Sequence, residues 1–166
     1  TFFVGYRLMG EPAFFQGRWA EARMMLDSAV LLSPMSVGTR HWRARARLLT
    51  GDTAGARTDA AEETRLGSPR TWLPAYVAAL SGDPGPARQW LNQALAGNAK
   101  AGIEAWEGVG LLWLSLHEPT RALEALERLP RDMELRLLLA PEFAPIANDP
   151  RFKAVLQRVR ELTMVR

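Results

Sequence analysis

Apolar residues recur every three or four positions along most of this chain, the spacing of helices that bury one face. Trp19, Ala22, Leu26 and Ala29 follow one another at 3, 4 and 3 residues and predict a helix over 18–32, with Pro34 just past its end. Trp42, Ala46 and Leu49 predict a helix over 37–50. Trp72, Tyr76 and Leu80 predict one over 71–80, and Trp106, Gly110 and Trp113 one over 100–116. Further helices are expected to begin near Thr53, Pro84 and Pro119. The two prolines suit a first helical turn, where no N–H is needed, and Asp52 and Asp83 suit N-caps. Phe2 to Phe15 is less regular. Pro12 has no N–H to donate and crowds the preceding turn, so the helix is expected to stop near Met9 and give way to an irregular stretch before Arg18.

The same local pattern returns at long range. Gly17-Arg-Trp-Ala-Glu-Ala22 is echoed by Gly51-Asp-Thr-Ala-Gly-Ala56, and the alanine recurs at Ala87 and Ala122, with gaps of 34, 31 and 35. A period near 34 marks stacked helical hairpins, none of which can bury its apolar face alone. The units are expected to span 3–36, 37–70, 71–99 and 100–130, followed by a closing segment over 131–166, all in one domain.

Within a unit the residue sizes also repeat. The first shows Tyr6, Gly10, Gly17, Trp19, Ala22, Leu26, Ala29 and Pro34. The second shows Trp42, Ala46, Gly51, Ala56, Ala60 and Pro69, the third Gly82, Ala87, Leu91 and Ala94, and the fourth Trp106, Gly110, Trp113, Ala122, Leu126 and Leu129. Small residues let two helices cross closely and large ones fill the groove between neighbours. This arrangement resembles the tetratricopeptide repeat. The resemblance covers about residues 1–130 and implies an all-α fold, a right-handed superhelix of antiparallel helix hairpins with about four repeats and a C-terminal capping helix. The sequence departs from the family pattern at Ala60 and Glu63 in the second unit, and at His117, which stands where the fourth turn glycine belongs.

The end of the chain carries a second resemblance. Leu139-Ala-Pro-Glu-Phe143-Ala-Pro-Ile146-Ala-Asn-Asp149-Pro-Arg-Phe152-Lys-Ala-Val155-Leu156 is similar to the ending of many bacterial tetratricopeptide proteins. Asp149 is placed to cap a helix whose first residue is Pro150. Phe152, Val155, Leu156 and Val159 form one apolar face, leaving Arg158, Arg160 and Glu161 mostly wet, as a capping helix requires. The resemblance further implies a setting in signalling proteins, behind a nucleotide cyclase, a protein kinase or a winged-helix domain.

Composition narrows the functional classes. Hydrophobic residues make up 48% of 166, enough for a core, and 19 Arg with 2 Lys against 18 acidic residues leave a net charge of +3. Residues 1–83 hold 10 basic and 8 acidic residues and residues 84–166 hold 11 and 10, so the broad basic face of a nucleic-acid binder is not expected. Cysteine is absent, which removes disulfides, thiolate metal sites and Cys nucleophiles. No stretch reaches the roughly 20 apolar residues of a membrane span. The chain starts at Thr1 and reads as a piece of a longer protein, with a cytoplasmic location expected.

Catalytic chemistry has few candidates. His41 and His117 lack partners at metal-ligand spacing, and no phosphate loop or nucleophile elbow occurs. No catalytic residue, metal or cofactor is expected, and Glu104 and Glu107 read first as a solvated helix face. The pattern with a binding mechanism is basic. With Trp42 and Ala46 in the large and small positions, Arg40, Arg43 and Arg47 fall on the stripe that faces the groove in the tetratricopeptide family. Their 3 and 4 spacing aligns three guanidiniums able to grip carboxylates. That alignment requires the helix to run two residues out of step with its own turn at Gly51. Counted from Gly51, the arginines would occupy core positions, which three charges argue against; the alternative to groove binding is that they pair with Asp59, Glu62 or Glu63 or are solvated.

Arg7, Phe14, Trp72 and Tyr76 are further groove candidates. Glu104 and Glu107 would make the far end of the groove acidic, suiting a dipolar extended peptide. The expected function is a non-enzymatic scaffold holding a peptide or partner domain in its groove. The alternative is a regulatory or sensor segment of a larger signalling protein. The expected partners are a protein or peptide, an upstream domain of the same chain, or a second copy joined through an uncapped end. Arg43→Glu is expected to weaken partner binding with little change in melting temperature.

Overall fold

A computed structural model describes residues 2–96, 103–128 and 135–163, with the side chains of 103, 104, 135, 136, 162 and 163 left out. Expectations that fall on 97–102, 129–134 and 164–166 lie outside the described residues. Every regular element among the described residues is helical: α1 (Phe2–Phe15), α2 (Trp19–Leu32), α3 (Thr39–Leu49), α4 (Thr53–Arg65), α5 (Leu73–Leu80), α6 (Gly85–Ala96), α7 (Ile103–Ser115), α8 (Pro119–Glu127), α9 (Leu135–Leu138), a 3₁₀ segment (Pro141–Ile146) and α10 (Pro150–Thr163). Helices pack in pairs, α1 on α2, α3 on α4, α5 on α6 and α7 on α8. Each first helix also packs on the hairpin before it: α3 on α1 and α2, α5 on α3 and α4, α7 on α5 and α6. The first helices form one layer and the second helices another.

One turn, used four times, sets the repeat. Each first helix ends on a residue in the left-handed region: Gly17 (φ 75°), Gly51 (83°), Gly82 (92°) and His117 (60°). Two backbone bonds close each of these ends. At Gly17 they are Gly17 N–H to the Phe14 carbonyl and Arg18 N–H to the Ala13 carbonyl, at 3.1 and 2.9 Å. The same pair forms at Gly51, Gly82 and His117. This double closure satisfies carbonyls that the helix end would strand, and glycine enters it without strain. His117 keeps the geometry with a side chain attached.

The residue seven before each turn residue is small and buried: Gly10, Ala44, Ala75 and Gly110. A methyl on Gly10 would meet Leu26 at 2.9 Å, and one on Gly110 would meet Leu126 at 3.0 Å. Five residues after each turn residue stand Ala22, Ala56, Ala87 and Ala122, all fully buried. Close crossing of the two helices in a hairpin depends on these small residues.

Two expectations are corrected. Pro12 does not end α1, which runs unbroken to Phe15 with Gln16 N–H bonded to the Pro12 carbonyl at 3.0 Å. Leu8 and Pro12 lie on the exposed side, where water can satisfy the carbonyl that Pro12 leaves without a donor. The second helix pair is not out of step either. Its turn at Gly51 closes like the others, and its small position is Ala44, not Ala46.

The chain closes on itself at the far end. The 3₁₀ segment packs on α7 and α8, and α10 packs on α8 and α9. Phe143 and Phe152 stack with ring centres 5.7 Å apart. Asp149 Oδ1 accepts from Arg151 N–H at 2.7 Å and caps α10, as its sequence suggests. Phe152, Val155 and Val159 are buried, while Lys153, Arg160 and Glu161 are exposed. Arg151 grips Glu127 through two bonds of 2.7 and 2.8 Å. Arg158 donates to the carbonyls of Leu126 and Glu127, where the C-terminal end of α8 favours a cation.

Candidate functional site: a sealed charge cluster and an open end

Arg45, on α3, is fully buried. Its Nε donates to Glu142 Oε1 at 2.6 Å, and one terminal nitrogen donates to Glu107 Oε1 at 2.8 Å and to His41 Nε2 at 3.1 Å. Its guanidinium lies 4.7 Å from the Trp42 ring centre and 5.1 Å from that of Phe14. Four elements meet at this group: α1 through Phe14, α3, α7 through Glu107 and the 3₁₀ segment through Glu142. The closing segment thus runs back along the layer of first helices. It also brings Leu139 beside Leu8, Pro12 and Phe15 of α1.

The electrostatics follow from burial. Removal from water would lower the Arg45 pKa, but the charges of Glu142 and Glu107 outweigh it and hold it above the ordinary arginine range. Burial keeps the Glu107 carboxyl above the usual carboxylate range, against the pull of Arg45 and Arg70. Burial, helped by the charges of Arg45, Arg70 and Arg7, pushes His41 well below its usual value, so the ring is neutral. Burial and the nearby Glu142 charge raise Tyr76. A buried cation between two carboxylates in a sealed core joins elements and offers no route to a substrate.

The residues expected to line a groove are placed as follows. Arg43 donates to both oxygens of Asp59, at 2.8 and 2.5 Å, and to Asp27 Oδ1 at 3.0 Å. Arg47 donates to Asp59 Oδ2 at 3.0 Å, to the Gly55 carbonyl at 3.0 Å and to Asp27 Oδ1 at 3.3 Å. Both therefore sit at the core positions counted from Gly51, made tenable by two aspartates that tie α2, α3 and α4 together. Reversing the Arg43 charge would place a third carboxylate beside Asp27 and Asp59, so its melting temperature is not expected to stay constant. Arg40 is buried and donates to the Pro34 carbonyl. Trp72 and Tyr76 are buried with ring centres 5.8 Å apart, and Trp72 also meets His41 edge to face. Glu107 is not on a solvated face but inside the cluster. The side chain of Glu104 lies outside the described residues.

Sequence reasoning passed over Arg45 and Glu142. A signal for Arg45 existed in the run Arg43-Ala-Arg45-Ala-Arg47: a step of two on a helix turns Arg45 away from the face its neighbours share. Glu142 had no local signal, because 97 positions separate it from Arg45.

An open surface lies at the first hairpin. Nine residues before each turn residue stand Leu8, Trp42, Leu73 and Gly108. The last three are buried, and two of them demonstrably meet the hairpin before. Trp42 packs on Phe14 and Phe15 with ring centres 5.4 and 5.1 Å away, and a methyl on Gly108 would run into the Trp72 ring. Leu8 is 65% exposed. Five before the turn, Ala46, Val77 and Leu112 are buried while Pro12 is exposed.

Among the described residues no helix is long and apolar enough to cross a membrane, and no three metal-ligating side chains come together. A scan of family models finds no match to this chain, and a search of curated proteins finds none either.

Proposed function

We propose that this chain is a non-enzymatic protein-interaction module of tetratricopeptide type, a right-handed stack of hairpins that holds a partner protein. The observation that carries this reading is the repeated hairpin: one turn geometry closes four first helices, and each later first helix packs on the hairpin before it. The layer of first helices is sealed by the closing segment through Arg45 and Glu142, and α10 covers the last hairpin. On the first hairpin Leu8, Met24 and Leu31 are exposed. Exposed apolar side chains gathered on one hairpin suit a binding surface. The buried charge cluster supports the non-enzymatic reading, since its groups bond to one another out of reach of solvent.

The test is a comparative capture. Wild-type chain and Leu8→Glu are used as baits at equal folded concentration, and retained proteins are quantified. The account predicts partners lost from Leu8→Glu at an unchanged melting temperature. An identical set of partners on both baits would contradict the assignment of the surface, and turnover by the isolated chain would contradict the non-enzymatic reading.

A further inference from the structure

Each later first helix meets the second helices on either side of it along a seam, and the three seams use corresponding positions. At α2, α3 and α4 these are Asp27, five residues after the buried alanine, Arg47, four before the turn residue, and Asp59, three after the next buried alanine. Arg47 and Arg43 bond to both aspartates and close that seam. At α4, α5 and α6 the positions hold Ala61, Ala78 and Trp90. There the Trp90 indole fills the gap, its Nε1 donating to Thr71 Oγ1 at 3.2 Å. At α6, α7 and α8 they hold Asn92, Trp113 and Ala125. Asn92 and Ala125 thus stand where the first seam has its two aspartates. Neither an ion network nor an indole from α8 fills this last seam, and a hollow of about 310 Å³ lies between α6 and α8.

We infer that this hollow is a second binding site, apart from the first hairpin, for an acidic segment of a partner protein: a large apolar side chain with a carboxylate beside it. The floor is apolar. Trp106 and Trp113 are half-buried in it, Ala125 is buried, and Leu95, 45% exposed, forms an edge. Concave sites with aromatic linings bind apolar groups, and indoles give large contact area. The rim is basic. Arg121 lies over the Trp113 ring, 4.7 Å from its centre, and has no carboxylate partner among the described residues. A guanidinium stacked on an indole keeps its in-plane N–H donors for a carboxylate. Arg128 lines the same hollow, and Glu124 is the one acid beside them. In the first seam, arginines at such a place are met by aspartates of the chain itself. In the last seam the arginines are present and the aspartate positions are neutral, so the occupant brings the acid. Two arginines against one glutamate make too small a basic patch to hold a phosphate chain.

Selection of a random peptide library on the folded wild-type chain, followed by titration of the selected peptides under indole N–H NMR, tests this. Selected peptides should place Asp or Glu beside a large apolar residue and shift the Trp106 and Trp113 indole signals. Replacing that acid by its amide should weaken binding about tenfold, as should Arg121→Gln. Ala125→Trp, which gives α8 the side chain that Trp90 gives α6, should abolish binding with helicity unchanged by circular dichroism. Arg121 is exposed, so Arg121→Gln decides the matter should Ala125→Trp fail to fold. Leu8→Glu should bind the peptides as wild type does, which separates this site from the first-hairpin surface. The inference is overturned if no selected peptide distinguishes wild type from Arg121→Gln, if acid and amide peptides bind equally, or if single-stranded RNA shifts the two indole signals and no peptide does.

Discussion

Arg45 divides its guanidinium between Glu107 and Glu142 in a site with no solvent, so its removal strands two carboxylates. Breaking a buried pair in this way costs about 3–5 kcal/mol, more than the pair itself contributes. Arg45→Ala should lose about that much in urea unfolding, and adding Glu107→Gln should restore part of it. A single variant as stable as wild type would contradict the cluster. His41 adds a pH dependence. Its Nε2 accepts from Arg45, which requires the neutral ring, while the unfolded chain takes up a proton near pH 6.5. Below that pH the unfolded state holds more protons, so stability falls between pH 7.5 and 5.5, by on the order of 1 kcal/mol. Glu107 acts in the opposite sense: burial raises its pKa, the folded state keeps its proton more readily, and acid favours folding. His41→Gln removes the first effect alone, so this variant should lose less stability over that interval. Equal acid sensitivity in the two proteins would rule His41 out.

At the scale of elements, the turn explains both what the sequence shows and what it hides. The glycines at 17, 51 and 82 mark their turns openly, because only glycine enters the left-handed region freely. His117 hides the fourth, yet helix closure forces it to φ 60° regardless. His117→Gly should therefore stabilise the chain by about 1 kcal/mol in thermal or urea unfolding. A loss of stability would mean that the imidazole contributes more than its backbone strain removes. Helices with regular apolar spacing, such as α2 and α10, were legible to within a residue or two. Pro12 misled because the penalty of a helical proline depends on whether its orphaned carbonyl faces water, which spacing does not report. The second hairpin misled because three arginines in a helix argue against burial until Asp27 and Asp59 are seen to meet them. Those aspartates are 16 residues from Arg43 on either side, and tertiary packing alone brings them there.

The whole molecule is a stack of paired helices, closed on its C-terminal side by the 3₁₀ segment and α10. Phe143 and Ile146 of the closing segment are buried, Glu142 pairs with Arg45, and Phe152 of α10 stacks on Phe143. Because the chain has no cysteine, a single Ile146→Cys reports on this directly through its rate of thiol labelling. If the segment is part of the core, labelling under native conditions is at least about 1000-fold slower than in the unfolded chain and accelerates only with global unfolding. Labelling at nearly the unfolded rate, while circular dichroism still reads fully helical, would show that the segment leaves the layer of first helices and would contradict the account.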